Sequence, residues 1–252
     1  MSSPAPAIPG IAVRVRGLRK AFGAQQILDG IDLAIEPGEI FVLMGPSGAG
    51  KSVFLRHLIG LEAADAGEIF LNDVSITDEA VRDRFRLAMV FQSGGLLNSL
   101  TVAENVGLFL SEHRLKPPAE IRRVVAEKLA LVNLTEHDAQ KYPTELSGGM
   151  RKRVAIARAL VSEPQLVLFD EPTSELDPLM ALTVGREIVR TNRHSGATTM
   201  VVTHDRDLAF GIATRIAFLD GGHILAIGSP AEIRSSEHPL IRRFLTADFT
   251  SE

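Results

Sequence analysis

Apolar positions in the first third of the chain either alternate with polar ones or gather in short runs. Val13 to Leu18 alternates, Phe22-Gly23 reads as a turn, and Ile27 to Ile35 resumes the strand pattern. Pro37-Gly38 is a further turn, and Ile40-Phe41-Val42-Leu43-Met44 is a short apolar run bounded by glycine, as buried strands are. Phe54, Leu55, Leu58 and Ile59 then recur at helical spacing, with Gly60 suited to the helix end. Glu68–Leu71 and Leu87–Phe91 are two more strand candidates.

The middle of the chain is helical in pattern. Thr101 and Glu104 form a capping box for a helix expected to run through Arg114, and Lys116-Pro117-Pro118 stops it. Pro118 suits the first position of a second helix, which places Ile121, Val124, Val125, Leu129 and Val132 on one face. A third helix is expected from Ser147, carrying Met150, Val154, Ala157 and Leu160. Strand and helix then alternate again. Leu166–Phe169 and Thr198–Val202 read as strands, Asp177-Pro178 and Asp205 as helix starts, and Ile216–Leu219 with Ile224–Ile227 as a hairpin around Asp220-Gly221-Gly222.

The 252 residues suit one α/β domain with an inserted subdomain, and no internal repeat is seen. With 45% hydrophobic and 23% charged residues the chain reads as an ordinary globule. Its net charge of −4 leaves no chain-wide basic footprint for DNA or RNA, so no nucleic-acid partner is expected. The absence of cysteine excludes disulfides, thiolate metal sites and a cysteine nucleophile. No apolar run approaches the roughly 18 residues of a membrane span, and the first residues show neither a basic nor an apolar leader region. The expectation is a chain soluble in the cytoplasm unless a partner holds it at a membrane.

Three stretches carry chemistry. Gly45-Pro46-Ser47-Gly48-Ala49-Gly50-Lys51-Ser52 matches G-x-x-x-x-G-K-[ST], between a buried strand and a helix as that pattern requires. Gly48 and Gly50 let backbone N–H groups close on phosphate oxygens, and the following helix N-terminus favours anions. Lys51 would meet the β and γ phosphates and Ser52 would ligate Mg²⁺. The plainer alternative, a glycine-rich turn with a chance Lys-Ser, does not explain the strand and helix on either side.

Leu166-Val167-Leu168-Phe169-Asp170-Glu171 is an apolar strand ending in two acids. Asp170 would join the Mg²⁺ shell and Glu171 would polarise an attacking water, since phosphoryl transfer needs positioning and charge neutralisation. Read alone, the pair fits an acidic strand end capping a turn equally well. His204 follows the Thr198–Val202 strand, where an imidazole would donate to a γ-phosphate or simply sit on the surface.

With these in place, Leu146-Ser147-Gly148-Gly149-Met150 resembles the signature motif of ATP-binding cassette (ABC) ATPases. Gln92 is similar to that family's Q-loop glutamine, Ser174-Glu175-Leu176-Asp177 to its D-loop, His204 to its switch histidine, and Phe22 to the aromatic that stacks on adenine. Six motifs stand in the family order, and the resemblance runs from about Val13 to about Pro230. It implies an α/β P-loop NTPase fold with a RecA-like core, an N-terminal antiparallel β subdomain and an inserted α-helical subdomain. The expected layout is a disordered tail over 1–10, the ATPase domain over 11–235 with helices inserted at about 95–161, and a helix or tail over 236–252.

The resemblance also implies a mechanism. Two copies close head-to-tail on two ATP molecules, each site joining one copy's phosphate loop to the other's signature motif. The implied nucleotide-binding set is Phe22, Gly45, Pro46, Ser47, Gly48, Ala49, Gly50, Lys51, Ser52, Val53, Ser147, Gly148, Gly149, Asp170 and Asp177. The implied metal ligands are Ser52, Gln92 and Asp170, and the catalytic residues Glu171, His204 and Gln92. ATP and Mg²⁺ are the implied cofactors.

Phe91-Gln92-Ser93-Gly94-Gly95-Leu96-Leu97, Leu100–Val106, Gly50–Val53, Arg56–Leu61 and Met150 are similar to the ATPases of Mla/Mce-type lipid transporters. That implies a homodimer at the cytoplasmic face of the inner membrane, a membrane permease, a small regulatory subunit and a periplasmic lipid-binding protein. Glu175 departs from the family, which usually has Gly or Ala there; a carboxylate at that point would repel the γ-phosphate region, pair with a basic residue across the dimer or, the reading favoured, stand as a tolerated exposed charge. Arg151, Lys152, Arg153 and Arg158 are read as a solvated helix face, with one arginine tying the subdomain together. Three rivals remain: an ABC ATPase with another cargo, a soluble one acting on DNA or ribosomes, and a regulatory cassette that binds ATP without hydrolysis.

Overall fold

The computed structural model describes residues 9–246, which divide into two compact units. The chain enters one unit at Ile11, leaves it at Arg84 and returns to it at Thr198; the other unit holds 85–197.

The entering leg begins with β1 (Val13–Phe22) and β2 (Gln25–Ile35), an antiparallel hairpin. Val13, Val15 and Leu18 are buried, a pattern that skips a residue because the register shifts between Val15 and Leu18. Such a bulge lets two residues oppose one, and turns Leu18 inward where strict alternation would have chosen Gly17. Next come β3 (Ile40–Met44), α1 (Lys51–Leu58), β4 (Ala66–Leu71), β5 (Val74–Ser75) and the short α2 (Val81–Arg84). β4 pairs with β1 and β5 with β4, both antiparallel.

The middle unit pairs β6 (Leu87–Val90) in parallel with β7 (Leu166–Asp170). Between them run α3 (Val102–Glu112), α4 (Pro118–Leu131), α5 (Glu136–Ala139), a 3-10 turn at Pro143–Glu145 and α6 (Gly148–Leu160); α7 (Pro178–Ser195) follows β7. α3, α4 and α6 pack on one another, and α7 packs on α4 and α6. The capping box at Thr101/Glu104 and Pro118 at the start of α4 are as the sequence indicates. On the α4 face Val125, Leu129 and Val132 are buried, while Ile121 and Val124 are half-buried. α3 ends before Arg114, whose φ of 51° is left-handed and stops the helix.

Fully buried Asn105 on α3 donates to the carbonyls of Leu97, Leu100 and Thr101 at 3.0 Å each and accepts from the Leu97 N–H at 2.8 Å. One side chain thus satisfies the backbone of the loop before the helix, as a buried amide must.

The returning leg supplies β8 (Thr198–Thr203), α8 (Arg206–Ile212), β9 (Arg215–Asp220), β10 (His223–Gly228), α9 (Pro230–Arg234) and α10 (Pro239–Thr246). β3 lies between β8 and β9, parallel to both, and β10 closes antiparallel on β9. All of β3 and β8 is buried; β3 accordingly reads as an unbroken apolar run, while β8 is Thr198-Thr199-Met200-Val201-Val202-Thr203. The hairpin turn is Gly221-Gly222, with φ of 55° and 80°, a two-residue turn that needs left-handed backbone twice.

β5, α2, α5, the 3-10 turn and α9 escape the sequence pattern because none is long enough to show a period. The unit that holds the helices also carries β6, β7 and α7, so it is wider than the expected insertion. Residues 1–8 of the expected tail and 247–252 of the expected C-terminal segment lie outside the described residues.

Candidate functional site

The phosphate loop links β3 to α1. A Cβ on Gly45 would lie 2.1 Å from the Leu219 carbonyl oxygen of β9, so only glycine allows the loop to leave the sheet this close to the neighbouring strand. Gly50, the N-cap of α1, has a φ of 98°, and a Cβ there would lie 3.0 Å from the side chains of Ile27 and Leu28. Pro46, Ser47, Gly48 and Ala49 form the bend, closed by the Ala49 N–H on the Pro46 carbonyl at 3.3 Å. Lys51 is only 5% exposed and donates to the carbonyls of Gly45 and Pro46 at 3.0 Å each. The ammonium is therefore held at the centre of its own loop, while Ser52 and Val53 sit in the first turn of α1.

Two other predicted residues belong to this unit. Phe22 ends β1 with 46% of its surface exposed, and the Lys20 ammonium lies 5.1 Å from its ring centroid. Lys20 is fixed by Glu62 at 2.8 Å and the Ala63 carbonyl at 2.8 Å, so the ring has a firm support and an open face. His204 follows β8 and is exposed. Because Met44 pairs with Thr203, the parallel register brings the phosphate loop and His204 off adjacent strands at the same level.

The middle unit repeats that arrangement. Val90 pairs with Phe169, so the exposed Gln92 leaves β6 beside the point where β7 delivers Asp170 and Glu171. Glu171 is 8% exposed and has a φ of 45°, unusual for a residue with a side chain. Its carbonyl accepts from the Ser174 N–H at 3.2 Å and hydroxyl at 2.9 Å, which holds the turn.

Ser147 is the exposed N-cap of α6 and accepts from the Met150 N–H at 3.2 Å. A Cβ on Gly148 would meet Leu176 at 3.1 Å and one on Gly149 would meet Met180 at 3.0 Å, so this helix start is pressed against the 174–180 segment. Asp177 caps α7, accepting from the Leu179 and Met180 N–H groups at 3.0 Å each. Glu175 is exposed, as expected, and its φ of 65° accounts for a preference for glycine at that point.

The basic group on α6 differs from expectation. Arg158 does tie the unit together, donating to the carbonyls of Gly94 and Gly95. Lys152, expected in solvent, is 7% exposed and donates to the Gln92 carbonyl and, at 3.4 Å, to the Ser174 hydroxyl. Burial pulls its pKa down, opposed in turn by the carboxylates of Glu175, Asp170 and Glu171. Sequence reasoning missed this residue, although Gly149, Lys152 and Ile156 recur at helical spacing on the buried side of α6. A groove of about 620 Å³ opens between α3, α4 and α5, lined by Gly107, Leu108, Ile121, Val125 and Leu129 among others.

A family model described as ABC transporter matches residues 28–174, more than half of the chain. The chain belongs to the ABC transporter family. It is an ATP-binding ATPase cassette, and its fold is that of the family. It is 39% identical over 240 residues to "Probable ribonucleotide transport ATP-binding protein mkl" of Mycobacterium tuberculosis, covering 94% of this cassette and 67% of that protein. It is 42% identical over 232 residues to "Sulfate/thiosulfate import ATP-binding protein CysA" of Methylococcus capsulatus, covering 91% and 66%. The cassette thus spans about two thirds of the length of these relatives.

Among solved structures, the ATP-binding cassette MJ0796, dimeric in a post-hydrolysis state with ADP and Pi, matches with a TM-score of 0.77 and 32% identity. The match covers 86% of this chain and 98% of that one. The cbiO1 protein of Clostridium perfringens, part of the cbiONQ transporter complex, matches with a TM-score of 0.80 and 27% identity over 93% and 94%.

Proposed function

We propose that this cassette works as one half of a head-to-tail homodimer that drives a membrane permease, and that the cargo is lipid. The observation that carries the dimer is the start of α6. Ser147 is exposed at a helix N-terminus, the place where backbone N–H groups and the helix dipole favour phosphate. Beside it, the first turns of α7 expose Leu179 by 75% together with Met180 and Leu182, an apolar surface that a second copy would cover.

In this reading Phe22 stacks on adenine, and Gly45, Pro46, Ser47, Gly48, Ala49, Gly50, Lys51, Ser52 and Val53 wrap the phosphates. Ser147, Gly148 and Gly149 meet the γ-phosphate of the opposite copy, with Asp177 behind them. Glu171 orients the attacking water as base, His204 donates to the γ-phosphate, and Gln92 links the site to the permease. Ser52, Gln92 and Asp170 offer a hydroxyl, an amide and a carboxylate oxygen, the hard donors that suit Mg²⁺. Among the described residues no three His, Cys, Asp or Glu gather as a metal cage. Nucleotide phosphates would then complete the shell, where Mg²⁺ neutralises charge on the transferred group.

Among the described residues no helix is long and apolar enough to cross a membrane, so a permease must supply the pore. The α3–α4–α5 groove is apolar enough to seat a short helix from such a partner at the cytoplasmic face of the inner membrane. The lipid cargo rests on the Phe91–Leu97, Leu100–Val106, Gly50–Val53 and Arg56–Leu61 segments and on Met150. The two relatives are named for cargoes as different as ribonucleotides and sulfate at similar identity, so the lipid reading rests on these segments and not on overall likeness. A small regulatory subunit and a periplasmic lipid-binding protein would complete the system.

The test is purification of the tagged chain from native membranes in mild detergent, followed by identification of the co-purifying permease and any bound lipid. A lipid-carrying permease supports the proposal. A sulfate, sugar or peptide permease overturns the cargo, and a chain that brings no membrane protein overturns the assembly.

A further inference from the structure

We propose that Lys152 is a positioning residue for ATP hydrolysis: its buried ammonium ties the Gln92 loop to the turn that carries Ser174 and Glu175, so that both move with the signature helix. The proposal rests on the nucleotide-site reading above and adds a residue that reading does not use.

Lys152 projects from α6, the helix that begins at Ser147, and is 7% exposed. Its ammonium donates to two acceptors from different segments, the Gln92 carbonyl and the Ser174 hydroxyl. Ser174 in turn donates from the same hydroxyl to the Glu171 carbonyl at 2.9 Å. A relay of hydrogen bonds therefore runs from the signature helix through Lys152 and Ser174 to the backbone of the residue that orients water. Arg158 of the same helix holds Gly94 and Gly95, so α6 grips the Gln92 loop at two points, but only Lys152 also reaches the Ser174 turn.

The charges explain why a lysine is tolerated there. A buried ammonium is costly without acceptors and counter-charge. Lys152 has two acceptors, and the carboxylates of Glu175, Asp170 and Glu171 all favour its charged form, Glu175 most. Glu175, where the family usually has Gly or Ala, thus lies close enough to Lys152 for its charge to favour the ammonium. Removing Lys152 alone would withdraw a positive charge from beside Glu175, Asp170 and Glu171 and release the Gln92 loop from the turn.

The experiment compares the unaltered chain with Lys152→Met, Lys152→Gln and Lys152→Met/Glu175→Gln, each purified with its membrane partner. Nucleotide affinity is read with a fluorescent ATP analogue, and kcat and KM from steady-state hydrolysis. A charge-assisted hydrogen bond predicts that Lys152→Met lowers kcat about tenfold or more while analogue affinity and KM stay within about threefold. Lys152→Gln, which keeps a donor, should lose less, and removing Glu175 as well should restore part of kcat.

A Lys152→Met kcat within about twofold of the unaltered chain overturns the proposal. So does a loss of affinity as large as the loss of kcat, or a double variant that recovers nothing. If Lys152→Met does not fold, the same comparison is made on Lys152→Gln. Failure of the unaltered chain to bind the analogue would sink the nucleotide-site reading instead, so the two failures are separable.

Discussion

Lys51 and Lys152 are both buried lysines whose ammonium groups rest on backbone carbonyls, yet they hold different things. Lys51 grips the carbonyls of Gly45 and Pro46 in its own loop. Lys152 grips the carbonyl of Gln92 and the hydroxyl of Ser174, far away in the chain on either side. The first stiffens one loop around a point of positive charge. The second joins three segments and sits among carboxylates. In the proposed function, Lys51 belongs to the phosphate loop, and Lys152 joins segments that carry proposed catalytic residues.

Predictions that separate binding from turnover test that contrast most strongly. Glu171→Gln keeps the turn, because the Ser174 bonds go to its backbone, but removes the proposed base. Hydrolysis should fall by about a hundredfold or more with ATP affinity little changed, and size-exclusion chromatography with ATP should show a dimer accumulating. Full turnover in that variant removes Glu171 from the mechanism. Lys51→Ala should do the opposite. ATP-analogue affinity should fall by about tenfold or more, since a charge-assisted contact to phosphate is lost. If both variants damaged affinity equally, the division between the two regions would collapse.

Smaller effects sharpen the picture of the unit that carries Lys152. Asn105→Ala removes the amide that donates to the carbonyls of Leu97, Leu100 and Thr101 and accepts from the Leu97 N–H; the Leu97 and Thr101 carbonyls keep the Leu100 and Asn105 N–H groups, so the Leu100 carbonyl and the Leu97 N–H lose most. It should cost about 2–4 kcal/mol in denaturant unfolding while nucleotide affinity holds.

The smallest effect concerns acid stability. Asp138 accepts from the Thr135 N–H at 3.0 Å and hydroxyl at 2.8 Å and from Lys141 at 2.6 Å. The Lys141 ammonium first, and then these cap bonds, hold its carboxyl well below the usual 3.8. A lowered carboxylate contributes fully above its unfolded pKa and loses that contribution as pH falls toward the folded one. The thermal midpoint of the unaltered chain should therefore drop below about pH 4, and Asp138→Asn should be lower by about 2–4 °C at neutral pH and less pH-sensitive. An unchanged acid limb in that variant would remove Asp138 from the account.

What was legible in the sequence follows the distance over which each feature is decided. The β3 strand, the phosphate loop, the Thr101/Glu104 box and the Asp177 cap are all settled within a few neighbouring residues, and each stands in the structure at the expected positions. The bulge in β1 is not local in this sense, because it depends on the partner register of β2. Lys152 is the clearest case. Its charge places it on a surface by ordinary expectation, and only contacts with residues 92 and 174 make burial acceptable. Lys20 beneath Phe22 is of the same kind, held by Glu62 and Ala63. Short elements such as β5 and α5 were missed for a different reason, since they are shorter than any period that would reveal them.

Gly45 carries a last consequence, for how this loop can evolve. The carbonyl of Leu219 stands where any side chain at 45 would begin. A randomised library of the loop, selected only for folded protein and never shown ATP, should still return glycine at 45 while accepting change at Ser47, which is exposed. Part of what reads as a nucleotide fingerprint is in that sense a fingerprint of the neighbouring strand. Sequence drift in β9 and in the loop is then tied together: only a backbone shift near Leu219 would open that position to another amino acid.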